Sequence, residues 1–416
     1  MATELLPRTR KLIVRSHFTQ ELTDFSAWLS AEQYALEVIH KHLLRLDCVL
    51  PRMQRNALSN ACALADIEMA FDVGSGPYSR IKVFQATRRA YVRFLRAHGR
   101  LTEACVEDPF ADLRREYDEY LSDVRGLSLS SRTHHAHTIA DFLARCVGSA
   151  QALGELTQHD VEKFVMLRGR EVSRHSMQHV VAHLRAFLRY CHGRGSLPSR
   201  LDKGIDTPRT YRGELPPRAL PWDMVQVLLA SIDPQSKAGW RDLCILHLIA
   251  HYGLRPSEVA SLRLDSIDWE NAVLHVTQHK TRSGLLLPIA PPTIQILRDY
   301  LEQDRHRHGS IYPELFLRVR CPNGPVLRAG IGNIFKRRMR AAQLPDKDYS
   351  AYSLRHAFAM RLLARGVGVK TIGDLLGHRS LENTCTYLRL DVEALRDVAL
   401  EVPGACVSEG GCHEYA

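Results

Sequence analysis

The sequence predicts a mainly α-helical protein with one small antiparallel β-hairpin or sheet. Two observations lead to this fold class. Before residue 192, apolar residues recur at the three- and four-residue spacing of amphipathic helices. Later, two short apolar runs at 273–278 and 285–290 are separated by the turn residues His279 to Gly284, the pattern of a hairpin. Helices are therefore expected to form most of the core.

Composition bounds the size and the partners of this protein. A chain of 416 residues is long enough for about two to four domains. Its 56 Lys and Arg against 46 Asp and Glu give a formal net charge of +10, which favours an anionic partner. Nucleic acid fits this charge, because a phosphate backbone gains affinity from every Lys or Arg that displaces a counterion; an anionic membrane surface would attract it too.

Targeting and metal-binding signals are weak. The N-terminal stretch MATELLPRTRKLIVR has no apolar signal-peptide core, and the most apolar stretch, 243–254, is too short to span a bilayer. We therefore expect a cytoplasmic protein with no membrane partner. The ten cysteines include no C-x-x-C pair, which favours reduced thiols over a metal cluster. No cofactor and no metal site are predicted.

Two segments, 99–112 and 192–220, interrupt the helical pattern and are interpreted as linkers. The second is rich in Pro and Gly and has an excess of Arg and Lys, which suits a phosphate backbone or a plain solvated connector equally. We expect five regions: an extra helical domain at 1–104, a second helical domain at 110–195, a basic linker at 196–220, a mixed helical and β domain at 221–400, and a tail at 401–416.

The helical patterns before the second linker occur twice. The segment from Phe25 to Ser30 matches that from Tyr117 to Ser122, and residues 89–94 match 185–190. The sequence therefore predicts a tandem pair of small helical domains. The alternative is coincidence, because amphipathic helices share periodicity without common ancestry.

In the second copy, Ser173 is a candidate N-cap for a helix reaching about Tyr190. That helix would carry His175, His179 and His183 on one stripe. A zinc site would need a further acid or cysteine to complete a tetrahedron, so we favour a polar face close to nucleic acid.

Residues 221–400 combine helices with the predicted hairpin. Glycines mark helix ends in this region, because a left-handed residue after the last turn is most easily a glycine. Lys280 lies in the turn between the strands. The expected elements are a helix over 237–252 closed by Gly253, a short helix from Pro256–Ser257, strands at 273–278 and 285–290, helices closed by Gly366 and Gly377, and a final helix holding Tyr387.

Four motifs in this region, in this order and spacing, resemble the tyrosine recombinase (phage integrase) family. The resemblance covers about residues 110–400, and it is more specific in the second half than in the helical domain before it. The motifs are Gly253-Leu254-Arg255-Pro256-Ser257-Glu258, Leu354-Arg355-His356-x-Phe358-Ala359, Leu376-Gly377-His378 and Thr386-Tyr387.

The resemblance implies an architecture, an activity and partners. It implies a helical, SAM-like core-binding domain and a mixed α+β catalytic domain that together clamp double-stranded DNA. It implies a site-specific recombinase that cuts and rejoins DNA through a 3′-phosphotyrosyl intermediate, in integration, excision or transposition of mobile DNA. It also implies a homo-oligomer, a tetramer on two DNA sites, or assembly with partner recombinases.

Carried over position by position, the catalytic set implied by the resemblance is Arg255, Lys280, Arg355, His378 and Tyr387. Permanently charged guanidiniums suit the charge that builds on phosphate oxygens, and a histidine adds a third donor. A tyrosine forms the covalent intermediate, so no ATP is required. A lysine at a hairpin tip can protonate the departing 5′ oxygen.

One position departs from the family pattern. Where the family usually has a histidine three residues before its second arginine, this chain has Tyr352. A phenol with a pKa near 10 is a poor base near neutral pH, so activation of Tyr387 by this residue is in doubt. We interpret His356 as a satisfied core histidine and leave it outside the catalytic set.

Two other functions are compatible with parts of the sequence. A type IB topoisomerase-like DNA relaxing enzyme uses similar chemistry, but the helical domains before residue 221 argue against it. A catalytically silent DNA-binding regulator is disfavoured by the presence of all five catalytic side chains. A covalent protein–DNA adduct would distinguish an enzyme from a regulator.

Overall fold

The computed structural model describes most of the chain. The described residues are 5–54, 62–72, 74, 77–102, 108–148, 151–210, 218–278, 283–305, 311–319, 323–378, 380, 382–385 and 387. The chain divides into two compact units, one comprising residues 1–47 with 215–416 and the other comprising residues 48–214. The five regions expected from the sequence remain a prediction.

Helices dominate the described residues, and the mainly helical fold with a small antiparallel sheet is confirmed. The α-helices are α1 (Pro7–Arg15), α2 (Thr19–Ala31), α3 (Leu36–Gln54), α4 (Leu64–Ala70), α5 (Tyr78–Ala97), α6 (Ala111–Glu119), α7 (Leu129–Cys146), α8 (Gln158–Glu171), α9 (Arg174–Gly193), α10 (Trp222–Ala230), α11 (Gly239–Tyr252), α12 (Pro256–Ser261), α13 (Pro291–Tyr300), α14 (Arg328–Ala341), α15 (Ala351–Ala364), α16 (Val369–Leu376) and α17 (Glu382–Cys385). The strands are β1 (Cys62–Ala63), β2 (Leu101–Thr102), β3 (Ile267–Asp268), β4 (Val273–Gln278) and β5 (Ser283–Pro288).

The antiparallel sheet has the order β3-β4-β5. The predicted bounds of the second hairpin strand were wrong, because β5 runs from Ser283 to Pro288 and not over 285–290. Pairing of Gln278 with Ser283 extends the ladder past the apolar run, since backbone hydrogen bonds do not need apolar side chains. The turn between these strands lies outside the described residues. A short parallel pairing of β1 with β2 was not predicted.

Helix α11 lies at the centre of the first unit's core. Its residues Cys244, Ile245, Leu248 and Ile249 are at most 1% exposed. Because the helix is buried on most sides, apolar residues occupy most positions from Leu243 to Tyr252 and not one face alone, unlike those of a surface helix. It packs against α13 and α15.

A buried carboxylate ties α11 to α14. Asp242 is fully buried, and its oxygens accept from Arg241 at 2.7 Å, Arg337 at 2.5 Å and Arg338 at 2.7 Å. An unpaired buried carboxylate would be costly, and three guanidiniums compensate its charge. This cluster fixes the start of α11, while the end of the helix leads into Arg255.

The second unit has its own core between α7, α8 and α9. Phe142, Phe164 and Phe187 are fully buried, and the rings of Phe142 and Phe164 meet edge to face at 5.2 Å. Ser173 caps α9 by accepting from the backbone N–H of Ser176, as predicted. The helix continues past Tyr190 to Gly193.

Four helices of the N-terminal region recur in the same order further along the chain. Helices α2, α3, α4 and α5 correspond to α6, α7, α8 and α9, which begin 92, 93, 94 and 96 residues later. Both α5 and α9 are 20 residues long. Their caps also match, because the N–H of Arg100 donates to Leu95 O and that of Ser196 to Cys191 O, at 2.8 and 2.9 Å. These matches favour duplication over coincidence.

The first helices of the two segments differ by one residue. Helix α6 continues into a π-helical turn, Tyr120–Val124, whose wider ring accommodates an extra residue. The carbonyl of Leu29 in α2 accepts from Tyr34 N–H, five residues on, whereas that of Leu121 accepts from Leu127, six residues on. The π-turn therefore absorbs the insertion without changing how the helix ends.

Neither a metal cluster nor a membrane span is found in the part of the chain that the structure describes. No three His, Cys, Asp or Glu side chains there are placed to hold an ion. None of the helices there is both long and apolar enough to cross a bilayer.

Gly253 closes α11 with a left-handed φ of 64°, and a Cβ there would lie 2.4 Å from the Phe358 ring. Gly253→Ala is expected to lower the free energy of unfolding by about 2 to 5 kcal/mol, through backbone strain plus overpacking. Gly366→Ala is the matched control, since Gly366 has φ 76° but open space, so strain alone should cost about 1 kcal/mol. Urea denaturation followed by tryptophan fluorescence measures both, because all four tryptophans lie in the first unit. Equal losses would contradict the predicted clash.

Candidate active site

The turn after α11 places Arg255. Gly253 reverses the chain direction, and Arg255 becomes the N-cap of α12 with Pro256 in the first turn. Glu258 is 2% exposed and accepts from the Arg255 backbone N–H at 2.8 Å and from its Nη1 at 2.5 Å. One carboxylate therefore caps the helix and holds the guanidinium.

Arg355 lies on α15 and is 4% exposed. Its Nη1 donates to Gly253 O at 2.6 Å, and its Nη2 donates to Leu376 O at 2.7 Å. Burial, followed by the charge of Arg255, lowers the pKa of Arg355 to about 10. The group is still a cation at neutral pH, with Glu258 Oε2 at 3.9 Å as the counter-charge.

His378 follows the left-handed Gly377 that ends α16. Its Nε2 lies 3.3 Å from Arg355 Nη2, and its Nδ1 lies 2.8 Å from the hydroxyl of Thr384. Burial, then the charges of Arg355 and Arg255, lower the pKa of His378 to about 4. The imidazole is therefore neutral near pH 7 before any anion enters the site.

Tyr387 lies in a turn two residues after α17, and not in the helix that the sequence predicted. It is 4% exposed and packs with Ala359, Ile372 and Leu376. Burial raises the pKa of Tyr387, while the charges of Arg355 and Arg255 oppose that shift. The phenol is protonated at neutral pH and lies within electrostatic reach of both guanidiniums.

The sequence interpretation of His356 as a satisfied core histidine missed a contact. Its Nδ1 lies 2.9 Å from the hydroxyl of Tyr387, and the two ring centroids are 5.6 Å apart. The one sequence feature that pointed to a role for His356 was its position next to Arg355. Adjacent residues on a helix point about 100° apart, so that signal could not reveal which neighbour His356 meets.

Tyr352 lies one turn before Arg355 on α15. The guanidinium of Arg328 lies over its ring, 5.8 Å from the centroid, a geometry that favours a cation–π contact. Because Tyr352 and Arg355 are three residues apart on α15, they lie on the same face of that helix.

Four of the five predicted residues come together, namely Arg255, Arg355, His378 and Tyr387. Lys280 lies outside the described residues. The end of β4 nevertheless reaches this region, because a Cβ on Gly377 would lie 2.0 to 2.4 Å from the Gln278 amide. The strand that leads toward Lys280 thus ends against the turn that carries His378.

Two family models and a curated relative match this chain. The model of the "Phage integrase family" matches residues 218–394, and that of the "Phage integrase, N-terminal SAM-like domain" matches residues 115–195. The chain is 30% identical over 387 residues to the "Putative integrase/recombinase y4rA" of Sinorhizobium fredii (strain NBRC 101917 / NGR234), covering 91% of this chain and 87% of that protein.

Solved structures share the fold. The XerH site-specific recombinase, in a post-cleavage complex with a palindromic difH substrate, has a TM-score of 0.53 at 16% identity, over 86% of this chain and 94% of that one. The lambda integrase(75-356) dimer bound to a COC′ core site has a TM-score of 0.51 at 16% identity, over 66% of this chain and 93% of that one.

Removing the negative charge of Glu258 tests whether this carboxylate compensates the positive charges of Arg255 and Arg355. Glu258→Gln keeps the shape but leaves the buried Arg355 and the half-buried Arg255 without their carboxylate, and should lower the free energy of unfolding by about 3 kcal/mol. The control is Asp265→Asn, which breaks the exposed pair with Arg263 and should cost less than about 1 kcal/mol. Urea denaturation compares the two variants. A small, equal effect of both would mean that Glu258 does not stabilise the arginine pair.

Proposed function

The chain belongs to the phage integrase family of tyrosine recombinases, and we propose that Tyr387 is the nucleophile with which it cuts and rejoins double-stranded DNA. The chain is a site-specific DNA recombinase, an enzyme that transfers DNA strands. The observation that carries the proposal is the juxtaposition of Tyr387 with the buried Arg355 and the half-buried Arg255.

The two arginines would bind the scissile phosphate. Attack on a phosphodiester builds negative charge on the non-bridging oxygens, and preorganised cationic donors stabilise that charge. The carbonyls of Gly253 and Leu376 orient the Arg355 fork before DNA binds. An arginine has five N–H donors, so these contacts leave others for phosphate.

His378 would add a third donor through Nε2. This role needs a proton on Nε2, and the charges of Arg355 and Arg255 oppose full protonation of the ring. A bound phosphate anion reverses that electrostatic balance, because an opposite charge raises the pKa of a histidine. The Thr384 hydroxyl at Nδ1 keeps the ring oriented in either state.

Lys280 would act as the general acid for the leaving group. As the Tyr387 oxygen bonds to phosphorus, the bond from phosphorus to the 5′ oxygen breaks, and that oxygen needs a proton. A positioned acid contributes about 10²- to 10⁴-fold to such a step. The contact of Gln278, at the end of β4 and two residues before Lys280, with Gly377 supports this proposal.

DNA binding and oligomer formation are part of the proposal. The lambda integrase fragment was solved as a dimer on a core site, and XerH was solved with its DNA substrate after cleavage. We extend DNA binding to this chain, with assembly as a tetramer on two sites or with partner recombinases. The net charge of +10 supports an anionic partner.

Covalent trapping tests the nucleophile. Sequencing the ends that are joined when the full chain is expressed beside its own flanking DNA would define a junction, and a nicked duplex with that junction traps the adduct. Tyr387→Phe should bind this duplex with unchanged affinity but form no adduct, since the variant lacks the attacking oxygen. Tyr349→Phe, which alters another tyrosine of the same unit, is the control and should form adduct normally. An adduct persisting in Tyr387→Phe would assign the nucleophile elsewhere.

The duplicated helices support DNA binding by residues 1–104. Arg89 and Arg93 on α5 correspond to Arg185 and Arg189 on α9, 96 residues later. A second copy of a SAM-like module would carry a second set of phosphate contacts. Deleting it is a poor test, because residues 1–47 belong to the same compact unit as the candidate active site.

Charge removal within the full chain is the sharper test of this second module. Arg89→Ala combined with Arg96→Ala removes two exposed arginines from α5 and should reduce the slope of log affinity against log salt by about two, nearly one unit per phosphate contact. The control combines Arg115→Ala and Arg145→Ala, whose guanidiniums are already held by carboxylates at 2.7 to 3.3 Å. Binding titrations over a range of salt measure both. Equal slopes for the two double variants would exclude specific phosphate contacts by α5.

A further inference from the structure

The hydroxyl of Tyr387 meets one acceptor among the described residues around it, the Nδ1 of His356 at 2.9 Å. We propose that His356 is a further catalytic residue, which takes the phenolic proton of Tyr387 during cleavage and returns it during rejoining. This inference rests on the proposed role of Tyr387 as the nucleophile.

The other groups near the hydroxyl cannot take its proton. Guanidiniums such as Arg255 and Arg355 are donors only. Both oxygens of Glu258 are already directed at these arginines. Tyr352, at the position where the family usually has a histidine, is a phenol and has no advantage in basicity over Tyr387 itself.

Two separate parts of the chain position the contact between His356 and Tyr387. His356 is fixed on α15 directly beside Arg355, while Tyr387 is fixed in the turn after α17. The apolar residues Ile372 and Leu376 pack against Tyr387, which is 4% exposed. An acceptor that already contacts the hydroxyl is more effective than bulk water, because it is positioned before the reaction begins.

The protonation state of His356 fits this role. Burial, then the charge of Arg355, lower the pKa of His356 to about 4. The titratable groups that face it are Arg355, Tyr387 and His378. A histidine with a lowered pKa is neutral above that pH, so one ring nitrogen carries a lone pair at neutral pH. The proposal places that lone pair on Nδ1 and the proton on Nε2.

The proton that leaves Tyr387 in cleavage returns to it in rejoining. In cleavage, the Tyr387 O–H bond breaks, its proton moves to Nδ1, the phenolic oxygen bonds to phosphorus, and the 5′ oxygen leaves with a proton from the general acid. In rejoining, a 5′ hydroxyl attacks phosphorus, and the tyrosine oxygen leaves and takes the proton back from His356. The imidazolium stored between these steps is repelled by Arg355, which favours its return of the proton.

His356 could instead only position Tyr387 without taking its proton. Two substitutions of His356 distinguish a base from a positioning residue. His356→Asn retains an acceptor oxygen near the place of Nδ1 but cannot hold a proton. His356→Ala removes both functions. If His356 acts as a base, both variants should form the covalent adduct about 10²- to 10⁴-fold more slowly than wild type. If it only orients Tyr387, His356→Asn should recover the wild-type rate.

The experiment measures single-turnover adduct formation on the nicked junction duplex, with the full chain, from about pH 5.5 to 8. We expect a flat profile for wild type, because His356 stays unprotonated over this range, and a rate that rises about tenfold per pH unit for His356→Asn. Replacing Tyr387 by a fluorinated tyrosine, whose phenol loses its proton more easily, should narrow the gap between His356→Asn and wild type. DNA affinity and thermal melting show whether each variant is folded.

Three outcomes would overturn the inference. These are a wild-type rate in His356→Ala, a wild-type rate and profile in His356→Asn, or a tenfold rise per pH unit in wild type itself. The last measurement needs no variant and therefore decides even if the substitutions prevent folding. Failure of the proposed function looks different, because wild type would then form no adduct or Tyr387→Phe would still form one.

Discussion

The candidate active site depends on two guanidiniums, one buried and one half-buried, that are held by helix ends. Arg355 donates to Gly253 O and Leu376 O, at the C-termini of α11 and α16, and Arg255 donates to Gly377 O at 3.4 Å. The carbonyls at a helix C-terminus are unpaired and carry partial negative charge, so they attract cations. With Glu258 they compensate two positive charges that would otherwise be too costly to bury.

This constraint explains much of the surrounding packing. Both helix ends are closed by left-handed glycines, and neither glycine has room for a side chain: Gly253 lies against Phe358 and Gly377 against Gln278. The close approach brings α15 and the end of β4 to the same turns. His378, after α16, and Tyr387, in the turn after α17, then complete the site, and each contacts a residue of α15. The positions of Arg355 and Tyr387 are thus coupled through α15.

Electrostatics in this cluster favours an anion. Burial and then repulsion from neighbouring guanidiniums lower the pKa of Arg355 and of His378, so positive charge on either group is costly. A bound anion would offset that cost, because an opposite charge favours the protonated form.

The sequence by itself determined the local features. Helix ends at Gly253, Gly366 and Gly377, the cap at Ser173 and the four ordered motifs depend on neighbours in the chain, and short-range backbone preferences specify such features. The sequence did not determine the bounds of β5, because an apolar run does not fix the residue at which backbone pairing with β4 begins. The tertiary structure alone decided which side chains meet. Tyr387 lies 31 residues from His356 in the chain, and only the packing of α15, α16 and α17 brings the phenol to the imidazole. Through the same packing, His356, which the sequence interpretation assigned to the core, contacts the hydroxyl of Tyr387.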